Sequence, residues 1–235
     1  MNPLNARDLM LGRLRAAAPA AAQLHADELD QRIRAHYERR RAEQTPAERV
    51  AAMQAALTVA HADVWCATSA EWPGQLASRL AEHGVRRLLL DPAAAEGAAL
   101  KSALPPAMEA LSFARPLEQW KAELFDSVDA GFTVARSGIA ATGTLVLAPD
   151  AGTPRTVSLV PPLHVALVYA DTLHTDLQAA AQAERWGDGM PTNLVLASSP
   201  SKTSDIQQTL AYGAHGPRWM WVIIVTDRPA QGETR

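Results

Sequence analysis

The chain has 235 residues, 48% apolar and 20% charged, with one cysteine and a formal net charge of −3. That length can bury a sizeable core, and the near-neutral balance excludes the basic footprint of a nucleic-acid or anionic-membrane binder. Cys66 alone makes no internal disulfide and holds neither a structural zinc nor an iron–sulfur cluster, so no metal site is expected on this chain.

The first part of the chain reads as helix. From Leu24 to Gln44, Leu29, Ile33 and Tyr37 recur at helical spacing on a charged surface. Such a narrow stripe predicts packing on the main body or on a partner subunit, a second copy of the chain included. The run Arg39 to Arg41 is solvated helix surface, because acidic neighbours dilute it. Thr45-Pro46-Ala47-Glu48 predicts a new helix with a capping box.

Strands and helices then alternate. ADVWCAT is a strand, WPGQLASRLAEHGV a helix with Gly84 past its end, and RRLLLD a strand. An alanine-rich helix to Ala103, the strand MEALSFA and a helix opened by Pro116 follow. The second half is richer in strands: FTVARSGIA and TGTLVLA with a Ser137-Gly138 break, then RTVSLV and LHVALVYA separated by Pro161-Pro162. Asp171 is expected to cap a helix that ends near Gly187 to Gly189. TNLVLAS and RWMWVIIVT are apolar enough to be central strands. Cys66, in an apolar strand, is expected to be a buried, inert thiol.

This rhythm predicts an α/β fold: three layers, α/β/α, with a largely parallel or mixed sheet. Residues 1–56 form an N-terminal helical extension and residues 57–235 the α/β domain. The run Met220 to Val225 is far short of the roughly 20 residues of a membrane span, and the opening residues lack a signal-peptide pattern. A cytoplasmic location is expected.

The densest polar stretch is SSPSKTSDIQQTLAYGAHGP, Ser198 to Pro217. It reads as strand, loop and short helix, with Thr203 or Ser204 as cap and Gly213 at the helix end. Loops outside the carboxyl ends of strands are where open α/β sheets bind ligands, and exposed N–H groups there favour an anion. Lys202, one of three lysines, adds a positive charge. Ser199, Ser201 and Thr203 add hydroxyls, which also suit plain caps and turns. His215, between Gly213 and Gly216, suits a general acid/base or a loop hydrogen bond equally, with Asp205 as its candidate partner. Thr142, Gly143 and Thr144 can present hydroxyls and amides to a carboxylate or phosphate. Arg155 is a candidate anion clamp, or a turn residue paired with Asp150. His164, at a strand start, is a structural residue or a ligand contact. Dinucleotide, P-loop, serine-hydrolase and zinc-protease motifs do not occur.

Four pieces stand in order over about the last hundred residues: TGTLVL, R-x-x-S-L-x-P-P-x-H, P-S-K-T-x-D-I and G-x-H-G-P. Together they resemble the lactate utilization protein C family, also called the LUD domain. The resemblance implies a sheet related to the ribose-5-phosphate isomerase, glucosamine-6-phosphate deaminase and CoA-transferase group. It implies a part in oxidising L-lactate to pyruvate with iron–sulfur partner proteins, the clusters lying on those partners and no cofactor on this chain. A small anionic ligand is expected at the strand-end loops. The family often carries an acidic residue just before TGT; here Ala140 and Ala141 precede Thr142. Whether the chain is itself an enzyme stays open. The alternatives are a stand-alone sugar-phosphate or acyl/CoA-transfer enzyme of the same fold group, and a non-catalytic docking subunit.

Overall fold

A computed structural model describes residues 6–17, 26–39, 41, 43–203 and 211–228. Two compact units divide the chain, Met1–Arg41 and Ala42–Arg235. The first holds helices α1 (Ala6–Ala17) and α2 (Ala26–Glu38). Leu9, Met10 and Leu14 of α1 are exposed, as are Leu29 and Ile33 of the stripe on α2.

The second unit runs α3 (Pro46–Val59), β1 (Asp63–Ala67), α4 (Trp72–Glu82), β2 (Arg87–Leu89), α5 (Ala95–Ala103), β3 (Glu109–Leu111), α6 (Lys121–Asp126) and β4 (Ala130–Val134). It continues β5 (Ser137–Ile139), β6 (Thr144–Leu147), α7 (Thr156–Leu159), β7 (Leu163–Tyr169), β8 (Leu173–His174), α8 (Leu177–Ala183), β9 (Val195–Ala197), β10 (Lys202–Thr203), β11 (Ala211–Tyr212) and β12 (Trp219–Val225). The main sheet has six strands in the order β1-β12-β7-β4-β2-β3, every pair parallel. Its middle strands β7 and β12 are nearly continuous apolar runs, as strands covered on both faces must be. The α/β class expected from the sequence is the one observed.

Side-chain alternation splits the core. On one face Trp72, Leu76 and Leu80 of α4 and Leu100 of α5 cover Val165, Leu167, Ile223 and Val225. Trp72 stacks on Phe132 with ring centroids 5.7 Å apart. On the other face Met53 and Leu57 of α3, with Leu145 and Leu147 of β6, cover Ala166, Val168, Val222 and Ile224. That outer layer includes a second sheet, β8-β5-β6-β9, beside the helices. Thr45 caps α3 through a complete capping box, as its sequence predicts. Gly84 takes the left-handed φ of +82° just after α4.

Several local expectations are corrected by packing. RTVSLV is no strand: Pro154 opens a turn, the Val157 N–H donates to its carbonyl at 2.8 Å, and α7 follows. Buried Val157 faces Leu89 in a third cluster with Trp120 and Leu124. Asp171 caps no helix. Leu173 is buried in β8, paired with β5, and Asp176 caps α8 by accepting from the Ala179 N–H at 2.8 Å. The helix after Pro116 is broken at Trp120, whose buried side chain sits between a short 3-10 turn, Leu117–Gln119, and α6. Ser137 and Gly138 lie within β5, and the chain breaks instead at Ala135 and Arg136. β9 is an edge strand of the second sheet rather than a central one. Cys66 is exposed, because β1 is an edge strand; partial burial still pushes its thiol up, which keeps it protonated and weakly nucleophilic. Among the described residues no helix is long and apolar enough to cross a membrane.

Candidate functional site

β7 and β12 begin side by side, with His164 in register with Met220 and, on the other flank, with Gly131. All three therefore lie on one face of the main sheet, where Gly131 lies against α7. Where β9 ends against those strand starts, a cleft of about 450 Å³ opens. Ser158 and Leu159 of α7 and His164 of β7 enter it from one motif. Pro200, Ser201 and Lys202 come from a second, and His215, Gly216 and Pro217 from a third. Three of the four sequence motifs thus converge on one space.

The loops are tied to one another. Ser201 donates its N–H to the Pro217 carbonyl at 2.8 Å and accepts from the Gly213 N–H at 2.9 Å. Lys202 and Thr203 then pair antiparallel with Tyr212 and Ala211. Gly213 has a φ of +80°, and a Cβ there would meet Arg218 Cβ at 2.8 Å, so this turn requires glycine. Thr203 ends the strand pair, and no helix runs up to Gly213, because Ala211 and Tyr212 are strand. The rest of that expected helix lies outside the described residues, and so does Asp205.

Charge in the cleft is one-sided. Among the described residues Lys202 is its one formal cation, no carboxylate lines it, and no ion pair engages Lys202. His215 is exposed beside it. His164 forms the floor, 3% exposed, with Nε2 2.8 Å from Thr133 Oγ1. Burial pushes its imidazole down to about 4, so it is neutral at pH 7. Ser199 Oγ donates to the Pro200 carbonyl at 2.9 Å and Ser158 Oγ to the Arg155 carbonyl at 3.1 Å. Both hydroxyls thus commit their single proton to carbonyls and present only acceptor lone pairs to the cleft.

The TGT motif stands behind the cleft rather than in it. Gly143 has a φ of +61°, and a Cβ there would meet Leu57 N at 2.8 Å, so it fits the close approach of α3 rather than a ligand. Thr142 Oγ1 lies 2.7 Å from Thr144 Oγ1, which lies 2.8 Å from Ser198 Oγ on the cleft lining. Arg155 is exposed and not among the lining residues, and Asp150 instead accepts from the Thr153 N–H and hydroxyl.

Sequence reasoning missed the apolar side: Leu159, Val195, Ala197 and Met220. Leu159 was in view within R-x-x-S-L-x-P-P-x-H. The β9 residues carried no signal, since a strand reads the same whether its face meets core or cleft. Among the described residues no cluster of three His, Cys, Asp or Glu side chains could hold a metal.

Fold and site together define a parallel-sheet α/β domain with a cleft built from motif loops at the strand starts. The chain belongs to the LUD domain family, whose model matches residues 50–225. It is 38% identical over 180 residues to an uncharacterized protein of Neisseria meningitidis serogroup B, covering 76% of this chain and 77% of that one. It is 33% identical over 115 residues to the lactate utilization protein C of Halalkalibacterium halodurans, covering 45% of this chain and 48% of that one. The chain thus spans about half the length of the lactate utilization relatives it matches. The crystal structure of a DUF162 family protein from Deinococcus radiodurans superposes with a TM-score of 0.60 at 26% identity, covering 78% of this chain and 99% of that one.

Proposed function

We propose that this chain is a cytoplasmic component of an L-lactate utilization system and binds an anionic ligand in the motif-lined cleft. The observation that carries the binding role is the convergence of three motifs on a cleft where, among the described residues, the one formal charge is Lys202. Lys202 beside His215, with no carboxylate among the described lining residues, favours a carboxylate or phosphate. The lactate assignment is supported by the relatives named lactate utilization protein C. A chain with one cysteine cannot supply the thiolates of an iron–sulfur cluster, so the electron-carrying centres of such a system belong to partner proteins. The exposed apolar side chains of α1 and α2 offer those partners a docking surface.

A thermal-shift panel on the wild type and Lys202→Ala tests the binding role, with lactate, pyruvate, sugar phosphates, CoA, nucleotides and flavins as ligands. A ligand at a hundredfold its dissociation constant adds about 2.7 kcal/mol, a midpoint rise of roughly 5–10 °C at this size. A rise in the wild type that Lys202→Ala abolishes supports the site; a rise that survives the change places the ligand elsewhere. Removing residues 1–44 should cost assembly with the iron–sulfur partners and spare the α/β fold. Assembly that persists would count against docking through α1 and α2.

A further inference from the structure

We infer that the ligand of this cleft is an amphipathic anion, with a carboxylate or phosphate head at Lys202 and His215 and an apolar body against β9. The inference rests on the reading that Lys202 receives an anion, and two further observations extend it. The first is size. The cleft measures about 450 Å³. The six heavy atoms of lactate, each given the roughly 30 Å³ that a water molecule occupies in the liquid, fill roughly 180 Å³. A three-carbon acid held at Lys202 leaves more than half of the space to solvent.

The second is the division of the lining. Lys202, His215 and Ser201 come from the loops, whereas Val195, Ala197 and Met220 bring only apolar atoms. Val195 and Ala197 pack against the apolar cluster between the two sheets and are only partly buried. This is partly exposed core rather than scattered surface residues, and its exposed portion faces the same space as the cation. Covering it removes apolar surface from water, a gain available to a ligand with an apolar body and denied to lactate. Neutral His164 adds no charge at the floor.

Isothermal titration of the full chain with matched acids tests the inference: lactate against 3-phenyllactate, and methyl phosphate against phenyl phosphate. The phenyl member of at least one pair should bind about tenfold more tightly or better, and the pair that responds identifies the head group. Val195→Thr keeps the side-chain shape and should weaken the phenyl ligand about fivefold while leaving its short counterpart unchanged. The neutral 3-phenyl-1-propanol should lose most of the affinity. Short and phenyl anions that bind equally, or a phenyl gain indifferent to Val195→Thr, overturn the inference and leave anion binding at Lys202 standing. If none of the four anions binds, both readings fall.

Discussion

Thr144 Oγ1 lies 2.8 Å from Ser198 Oγ, joining a buried strand residue to the cleft. Thr142 extends the chain to an exposed hydroxyl. Each hydroxyl donates once, so donation along such a chain runs in one direction. With an anion in the cleft, Ser198 donates to it and accepts from Thr144. Thr144→Val keeps the shape and removes the donor. Calorimetric affinity for 3-phenyllactate should fall about fivefold, with the melting midpoint little changed, and Thr144→Ser should restore it. Unchanged affinity in the valine variant would show that the chain is structural alone.

His164 makes stability depend on acid. Its folded pKa is about 4 against an unfolded value of 6.5. Below pH 6.5 the unfolded chain gains a proton that the folded chain refuses, so stability is present at pH 7 and lost as pH falls toward 4. The loss is about 3 kcal/mol. Burial lowers His174 as well, with the same sign. Urea titrations at pH 7 and pH 4 on the wild type and His164→Gln separate the two: the variant should lose most of the difference. An identical pH dependence in both proteins would remove His164 as its source.

Gly131 sets the position of α7. A Cβ there would come within 2.0 Å of the Val157 carbonyl oxygen, backbone that cannot yield without moving the helix. Gly131→Ala should cost about 3 kcal/mol, a midpoint fall of roughly 6–12 °C, and should shift Ser158 and Leu159 away from the cleft. Gly74, in α4 with nothing within 4 Å of its added Cβ, is the control. Gly74→Ala should be neutral or stabilise by up to about 1 kcal/mol. Thermal melts followed by circular dichroism read both.

The capping box of α3 anchors the helix that covers the second face. The Glu48 N–H donates to Thr45 Oγ1 at 3.3 Å, and the Thr45 N–H donates to the Glu48 carboxylate at 2.7 Å. Thr45→Ala should cost about 1 kcal/mol and Thr45→Ser nearly nothing, measured by urea denaturation. Equal stability of the alanine variant would mean that packing of Met53 and Leu57 alone holds the helix.

The parallel sheet was legible because its strands are buried on both faces and their text is continuous: LHVALVY and WMWVIIV read as strands without further information. α4 was legible through its periodicity and Gly84, and α3 through its cap. What failed were short segments whose state depends on distant neighbours. Thr156 to Leu159 have strand-forming side chains, yet Pro154 and the close approach at Gly131 make them helical. Asp171 has the chemistry of a cap, but burial of Leu173 moves the helix start to Asp176. In the site, Lys202, His215 and His164 were legible as chemistry. Their convergence was not, because it depends on the register of β7 with β12, which no single segment carries. The hydroxyls of Thr142 and Thr144 were noted for a direct contact with ligand, whereas their position places them one and two bonds behind Ser198.

The ladder between Lys202 and Tyr212, closed by the bonds from Ser201 to Pro217 and Gly213, makes the lysine loop and the histidine loop a single mechanical piece. Neither can swing without the other. Those main-chain bonds fix the backbones that carry the ammonium and the imidazole, while each side chain keeps its own torsions. Whatever displaces one loop displaces the other, so the two side chains answer to the cleft's occupant as one unit.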